Sequence, residues 1–208
     1  MSKPLPIAVL VSGVGTNLQA LLDRVHGKDA EIVAVGSSVA DAPALARASE
    51  RDVPARAFVR SSYGNRDERD RELAGWLQER GARLVVLAGY MELLGDGFLA
   101  SFPGAVMNVH PSLLPAFPGT RAVEQALEYG VRVFGVTVHF VDAGVDTGPV
   151  ILQGAVELPD ARGADEVMTA LRPIEHRLLA EAVSLFAQGR IAAPDGHSRR
   201  VVIRAPEG

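Results

Sequence analysis

The sequence predicts an α/β fold, a single domain with a mostly parallel, twisted sheet of about seven strands and helices on both faces. Two observations predict it. Short apolar runs typical of buried strands alternate along the chain with segments whose apolar residues recur at helical spacing. No repeat, low-complexity stretch or linker divides the 208 residues into separate units, and this length suits one domain.

In the first half of the chain, four predicted strands alternate with three predicted helices. Each strand is a run of mainly aliphatic residues, and each helix has apolar residues three and four positions apart. The second helix is expected to start near Pro43 with Asp41 as its N-cap, and the third to end at Gly81. The strands are IAVLV (7–11), EIVAVGSS (31–38), ARAFV (55–59) and RLVVLAG (83–89).

In the second half of the chain, the same patterns predict three more strands and two helices. A long amphipathic helix covers about 165–188, and Pro173 should kink it or start its second half. The tail resembles a small hairpin that turns at PDGH (194–197). The remaining elements are the strands AVMNVH (105–110), VRVFGVTVHFV (131–141) and PVILQGAVEL (149–158), and the helix TRAVEQALEYG (120–130).

Composition excludes several classes of function. With 22% charged residues and a net charge of −4, the chain lacks the basic surplus that nucleic acid or an anionic membrane attracts. It has no cysteine, which excludes disulfides, thiolate metal ligands and a cysteine nucleophile. No stretch approaches the roughly 20 apolar residues that span a bilayer, and the amino-terminal apolar run is too short for a signal peptide. We therefore expect a cytoplasmic protein.

The loop after the first strand predicts a phosphate site. In VSGVGTNLQALL, Gly13 and Gly15 permit a tight turn, and the next helix offers free N–H groups and its positive dipole end to an anion. The dinucleotide pattern needs a small residue where Leu18 stands, so the phosphate of a mononucleotide or sugar phosphate fits better than NAD. The alternative is a glycine-rich turn in which Thr16 serves only as an N-cap.

Asn108 and His110 mark a candidate catalytic centre. They lie two residues apart at the end of the fifth strand and therefore share one face. A loop with three prolines follows, and we expect its Leu114–Pro115 bond to be cis. A second polar loop follows the sixth strand and carries Asp142 and Asp146, either of which could orient the imidazole.

Other roles for these polar residues remain open. A histidine at a strand end is more often a hydrogen-bonded structural residue than a catalytic one. His110, His139 and Asp146 could bind a metal, but no closely spaced ligand motif is present, and we predict none. Ser112 lacks the G-x-S-x-G context of a nucleophile and is better explained as a hydrogen-bonding residue of the loop. His139, in an alternating strand, is expected to pack or to support the site.

Four stretches together resemble the folate-dependent formyltransferases: LVSGVGTNLQALL, VVLAGYMELL, MNVHPSLLPAFPGT and TVHFVDAGVDTGPVILQ. They occur in matching order, and the resemblance runs from about residue 6 to 188. N-x-H-P-S-L-L-P with a downstream D-x-G-P marks the group, and SG-x-GTNLQ points to its glycinamide ribonucleotide branch. The resemblance implies the formyltransferase fold with a Rossmann-like amino-terminal half. It also implies formyl transfer from 10-formyltetrahydrofolate to the amine of glycinamide ribonucleotide in purine biosynthesis.

The resemblance further implies three sets of site residues. The catalytic set is Asn108, His110 and Asp146. The set that holds the phosphate and ribose of glycinamide ribonucleotide is Gly15, Thr16, Asn17 and Glu175. The folate-binding wall is Arg66, Met91, Glu92, Leu93, Leu94, Asn108, Asp142, Ala143, Gly144, Val145 and Asp146. An imidazole that moves a proton and an amide that stabilises an oxyanion suit transfer through a tetrahedral intermediate.

The chain departs from the family pattern at three places. Glu92 stands where many members have arginine, Ser38 where asparagine is usual, and Arg172–Pro173 where polar residues are frequent. Contacts to the substrates at these positions are therefore left open.

The resemblance implies one formyltransferase domain over 1–208. Within it we expect a ribonucleotide phosphate-binding half (1–104), a catalytic and folate-binding half (105–188) and a C-terminal hairpin or tail (189–208). Expected partners are the two small-molecule substrates, without nucleic acid or membrane, in a monomer or homodimer.

Three alternatives to this activity remain open from the sequence. A formyltetrahydrofolate hydrolase would share the catalytic residues but carry an N-terminal regulatory domain. A methionyl-tRNA formyltransferase would need an RNA-binding domain, whereas only about twenty residues follow position 188. A non-catalytic nucleotide-binding module would share the fold alone, because fold does not fix function.

Overall fold

A computed structural model describes residues 3–194 and 199–205 of the protein. Its strands form one sheet, whose members are β1 (Leu5–Val11), β2 (Ala30–Ser37), β3 (Ala55–Ala57), β4 (Leu84–Leu87), β5 (Val106–His110), β6 (Val133–Phe140) and β7 (Val150–Glu157). The order across the sheet is β3-β2-β1-β4-β5-β6-β7. β1 to β5 are parallel, and β6 and β7 each run antiparallel to the preceding strand. The predicted mostly parallel sheet is confirmed.

Helices cover both faces of this sheet. Because side chains alternate along β1, Ile7 and Val9 join a core with the first, second, fifth and sixth helices, whereas Ala8 and Leu10 face the third and fourth. The helices are α1 (Thr16–Arg24), α2 (Pro43–Ser49), α3 (Arg66–Glu79), α4 (Asp96–Ser101), α5 (Ala122–Tyr129) and α6 (Ala164–Ala187). None of the helices within the described ranges is long and apolar enough to cross a membrane.

The side-chain alternation of β5 places the candidate site. Met107 and Val109 belong to the core beneath α1 and α6, and Val106 belongs to the core beneath α3 and α4. The next residues on the Val106 face are Asn108 and His110. On this face the apolar core ends at Val106, and loops that follow β5 and β6 contact the two polar side chains instead.

Several local predictions need correction. The N-cap of α2 is Ala42, not Asp41, and no side chain caps that end. β3 stops at Ala57, so it is shorter than the predicted ARAFV strand. α6 is a single helix that contains Pro173 in its interior and does not begin anew there.

Two further segments differ from expectation. The short helix α4 has no counterpart in the predicted elements, because six residues give no helical period to detect. Most of the expected PDGH turn lies outside the described residues. The described flanks of that turn carry no assigned strand, although the Arg204 N–H donates to the Arg190 carbonyl at 2.9 Å.

Candidate active site

Asn108, His110 and Asp146 meet at the carboxyl end of β5. His110 Nδ1 lies 3.3 Å from Asp146 Oδ2, and Asn108 Nδ2 donates to Asp146 Oδ1 at 3.3 Å. A single carboxylate therefore contacts both polar side chains that β5 presents on one face. The structure thus brings Asp146 next to Asn108, which lies 38 positions earlier in the sequence, and next to His110.

The loop after β6 must turn back to bring Asp146 to this position. Because β6 is antiparallel to β5, the loop starts beside the amino end of β5, where the Val141 N–H donates to the Val106 carbonyl at 2.9 Å. Asp142 Oδ1 holds the bend by accepting from the Gly144 N–H and the Thr147 hydroxyl. Asp146 has φ 52°, a left-handed conformation that costs a non-glycine residue about 1–2 kcal/mol. Such strain is typical of functional positions.

The surroundings of Asp146 favour its ionised form. Burial alone would raise its pKa, but the hydrogen bond with His139, the Gly119 N–H and the positive charges of His110 and His139 outweigh burial and lower the pKa to about 2. The Gly119 N–H donates to Oδ2 at 2.8 Å. Asp146 is therefore a carboxylate throughout the neutral range.

His139 is buried and supports both Asn108 and Asp146. Its Nδ1 lies 2.8 Å from the Phe140 carbonyl, which can only accept, so Nδ1 carries a proton. Its Nε2 lies 3.2 Å from Asn108 Nδ2 and 3.6 Å from Asp146 Oδ1. When the His139 ring is neutral, Nε2 accepts a hydrogen bond from the Asn108 amide. When the ring is charged, Nε2 faces the Asp146 carboxylate as a donor. Sequence reasoning gave His139 only a packing or supporting role, because its register opposite Asn108 was not available.

The ring of His110 lies between two acceptors. Nε2 is 2.9 Å from the Phe117 carbonyl, and Nδ1 faces Asp146. Both nitrogens can donate only when the imidazole carries both protons, so this arrangement suits the imidazolium. The charged ring and the adjacent Asn108 amide form a pair of hydrogen-bond donors.

The loop after β5 is held by more than its prolines. The Leu114–Pro115 bond is cis, as predicted. The Thr137 hydroxyl donates to the Ser112 carbonyl at 2.7 Å and accepts from the Leu114 N–H at 3.0 Å. The Ser112 hydroxyl donates to the Ala116 carbonyl at 2.6 Å, which is the loop role expected for it. These bonds fix the path of the chain between His110 and the Gly119 N–H that reaches Asp146.

The turn before α1 has the geometry of an anion site. Gly15 is the N-cap of α1 in a left-handed conformation, and no side chain caps the helix, so Thr16 is the first helical residue and not an N-cap. Asn17 Nδ2 lies 3.5 Å from Glu175 Oε2, and its buried Oδ1 has no hydrogen-bond partner among the described residues. Burial raises the pKa of Glu175 against the opposing effects of Asn17 and Arg172. This unsatisfied acceptor suits a hydroxyl or amine donor of a ligand, whereas the uncapped N–H groups of α1 suit an anion.

The segments expected to bind folate expose apolar side chains. Met91 is 66% exposed, Leu93 59% and Val145 49%. The Met91 N–H donates to the Ser12 hydroxyl at 2.8 Å, and that hydroxyl lies 2.6 Å from the hydroxyl of Ser38. Ser38, one of the departures from the family pattern, thus helps to join this segment to the turn before α1.

Two cavities lie beside these segments. Arg66, at the start of α3, borders a cavity of about 510 Å³ with Gly95 and Phe98, and the structure does not place it among the residues around Asp146. A second cavity, of about 490 Å³, is bordered by Asp146, Val145 and Pro115. Across residues 3–194 and 199–205, no group of three histidine, aspartate or glutamate side chains is arranged to hold a metal ion.

Comparison with known proteins identifies the family. The family described as formyl transferase matches residues 5–183. Phosphoribosylglycinamide formyltransferase from Haemophilus influenzae is 39% identical over 191 residues, which cover 91% of this chain and 90% of that protein. The chain belongs to the phosphoribosylglycinamide formyltransferase family. The crystal structure of glycinamide ribonucleotide transformylase 1 from Symbiobacterium toebii matches this formyltransferase with a TM-score of 0.91 and 46% identity, covering 97% of this chain and 95% of that one.

The fold alone does not separate a formyltransferase from a hydrolase. A formyltetrahydrofolate deformylase from Pseudomonas syringae pv. tomato also matches with a TM-score of 0.89, at 24% identity over 98% of this chain and 67% of that one. The closer sequence relatives are what assign this formyltransferase to its branch. The resemblance noted in the sequence, including the fold that it implies, is confirmed.

Proposed function

We propose that the protein transfers the formyl group of 10-formyltetrahydrofolate to the amine of glycinamide ribonucleotide, a step of de novo purine biosynthesis, with Asn108, His110 and Asp146 at the reacting centre. The observation that carries this proposal is the Asp146 carboxylate, which contacts the His110 ring and the Asn108 amide together. The two products are formylglycinamide ribonucleotide and tetrahydrofolate.

In the first step the neutral amine attacks the formyl carbon. A C–N bond forms, and the carbonyl oxygen becomes an oxyanion to which Asn108 Nδ2 and a His110 N–H donate. Losing one such donor typically costs about 10²–10³ in rate. His110 Nδ1 faces Asp146, so Nε2, which now lies against the Phe117 carbonyl, is the nitrogen that would turn to the substrates.

In the second step the bond from the carbon to N10 of the folate breaks. As this bond breaks, the imidazolium gives its Nε2 proton to N10, and the neutral imidazole then takes the proton that the attacking nitrogen loses. The Asp146 carboxylate stabilises the imidazolium before and after these transfers and fixes the orientation of the ring. No covalent enzyme intermediate is needed.

The two substrates would approach the centre from opposite sides. Gly15, Thr16 and Asn17 would hold the phosphate of the ribonucleotide, and Glu175 its ribose, which assigns this task mainly to residues 1–104. The apolar side chains of Met91 and Leu93, together with the 142–146 loop, would contact the pterin ring of the folate. The exposed apolar surface of both segments supports this placement.

The test is an assay with 10-formyltetrahydrofolate, with and without glycinamide ribonucleotide. We expect tetrahydrofolate to form only with the amine acceptor. His110→Ala should lower turnover by at least about 10²-fold, while the His26→Gln control, outside the site, should retain normal turnover. Formate release without the acceptor would identify a hydrolase. No reaction in either tube would identify a binding module.

A further inference from the structure

Arg69 is a buried charge that the catalytic mechanism does not use. Its side chain is 0% exposed, although it lies in the first turns of α3. Nε and Nη2 donate to Asp70 Oδ1 at 2.9 and 2.6 Å, Nη1 donates to Glu92 Oε2 at 2.8 Å, and Nη2 also donates to the Leu93 carbonyl at 2.9 Å. Burying an arginine is unfavourable unless nearly all of its N–H groups are paired, as they are here.

These bonds tie α3 to the segment between β4 and α4. Asp70 Oδ2 extends the network by accepting from the Gly95 N–H at 2.7 Å. The segment 91–95 has no regular secondary structure of its own. The network therefore fixes it at three points: the Glu92 side chain, the Leu93 carbonyl and the Gly95 N–H.

The segment 91–95 exposes two apolar side chains and turns its charged side chain inward. Met91 and Leu93 point to solvent, whereas Glu92 reaches the buried guanidinium and Leu94 packs against the core beneath α3 and α4. A short loop with exposed apolar side chains would ordinarily turn them inward, since burial of apolar area is favourable. The inward bonds of Glu92 and of the Leu93 carbonyl oppose that rotation.

We propose that Arg69, with Glu92 and Asp70, is a positioning residue that holds the segment 91–95 with Met91 and Leu93 facing the folate cosubstrate. The inference rests on the proposed function, since it takes this segment as part of the folate wall. It also gives the departure at Glu92 a physical reason. A carboxylate at that position pairs with the arginine at 69, which an arginine at 92 could not do.

The test compares Glu92→Ala, Glu92→Gln and Leu93→Ala with the wild type. Glu92 is half-buried, so the Glu92 variants should fold even if Arg69→Met, which removes the cation from the Asp70 and Glu92 carboxylates, does not. We expect Glu92→Ala to raise the KM for 10-formyltetrahydrofolate roughly tenfold, as loss of a charge-assisted hydrogen bond would. Glu92→Gln keeps an acceptor and should raise it less. The KM for glycinamide ribonucleotide and kcat should change less than about twofold.

The control is Arg71→Met, which removes an exposed arginine from the same helix and should leave both KM values unchanged. Calorimetric titration with tetrahydrofolate gives a readout independent of turnover and should show the same order of variants. Arg69→Lys keeps the charge but has one nitrogen for three acceptors, so it should be intermediate.

The outcomes separate this inference from the proposed function. If Leu93→Ala raises the folate KM and Glu92→Ala does not, the segment touches folate and the positioning role is wrong. If neither variant raises it, the folate-wall assignment fails and the inference fails with it. If Glu92→Ala raises both KM values alike, the network only stabilises the fold, which also overturns the inference.

Discussion

Asp146 is the residue on which the candidate site depends most. It receives hydrogen bonds from the Asn108 amide and the Gly119 N–H, and it faces the rings of His110 and His139. Four groups from three chain segments thus converge on two oxygen atoms. These contacts help to maintain the left-handed backbone of Asp146, together with the bonds by which Asp142 holds the same loop.

The lowered pKa of Asp146 predicts a specific dependence of stability on pH. Its pKa is about 2 in the folded protein and 3.8 without the fold, so its contribution is fully present above about pH 5 and is lost as the pH falls through 2. Chemical denaturation should show that Asp146→Asn loses about 2 kcal/mol relative to the wild type from neutrality down to about pH 5, and progressively less below that pH. A difference that stays constant from pH 7 to pH 3 would contradict the assigned contacts.

The turn between β1 and α1 shows how one element prepares a site for a ligand. Gly15 combines φ 79° with an approach so close that an added Cβ would lie 2.6 Å from the Cβ of Ala44. Because the N-cap residue is a glycine, no side chain caps the first N–H groups of α1. Glycine at 15 is therefore required by both backbone conformation and space.

Gly15→Ala and Gly27→Ala separate these two requirements. Both positions have positive φ, so each alanine should cost about 1–2 kcal/mol of unfolding free energy, but the space beside Gly27 is open. We expect Gly15→Ala to lose more stability than Gly27→Ala in denaturant titrations, and to be the only one that raises the KM for glycinamide ribonucleotide. Equal losses of stability would contradict the lack of space at Gly15. An unchanged KM for glycinamide ribonucleotide in Gly15→Ala would show that the turn has no role in binding.

Across the whole molecule, the features that could be predicted from the sequence are those that depend on a local pattern of residues. Aliphatic runs and helical spacing were sufficient for the parallel strands β1, β2, β4 and β5 and for the helices α1, α2 and α5, whereas the short helix α4 after β4 was missed. The pairing of Asn108 with His110 on one face required only the two-residue period of a strand.

What the sequence could not predict depends on contacts between distant segments. The antiparallel direction of β6, which brings His139 opposite Asn108, follows from the topology and not from a local pattern. The ion pair of Arg69 with Glu92 joins residues 23 positions apart, so Glu92 was only an unexplained departure until its partner was seen. The conformation of Asp146 is likewise imposed by partners from other segments.

In the proposed mechanism His110 and Asp146 act as one unit, and a double-mutant cycle tests this most directly. The measurement is kcat/KM for formyl transfer in the wild type, His110→Ala, Asp146→Asn and the variant with both changes. Since the carboxylate acts through the imidazole, the double variant should be no slower than His110→Ala alone. Losses that multiply, or near-normal turnover of His110→Ala, would contradict it.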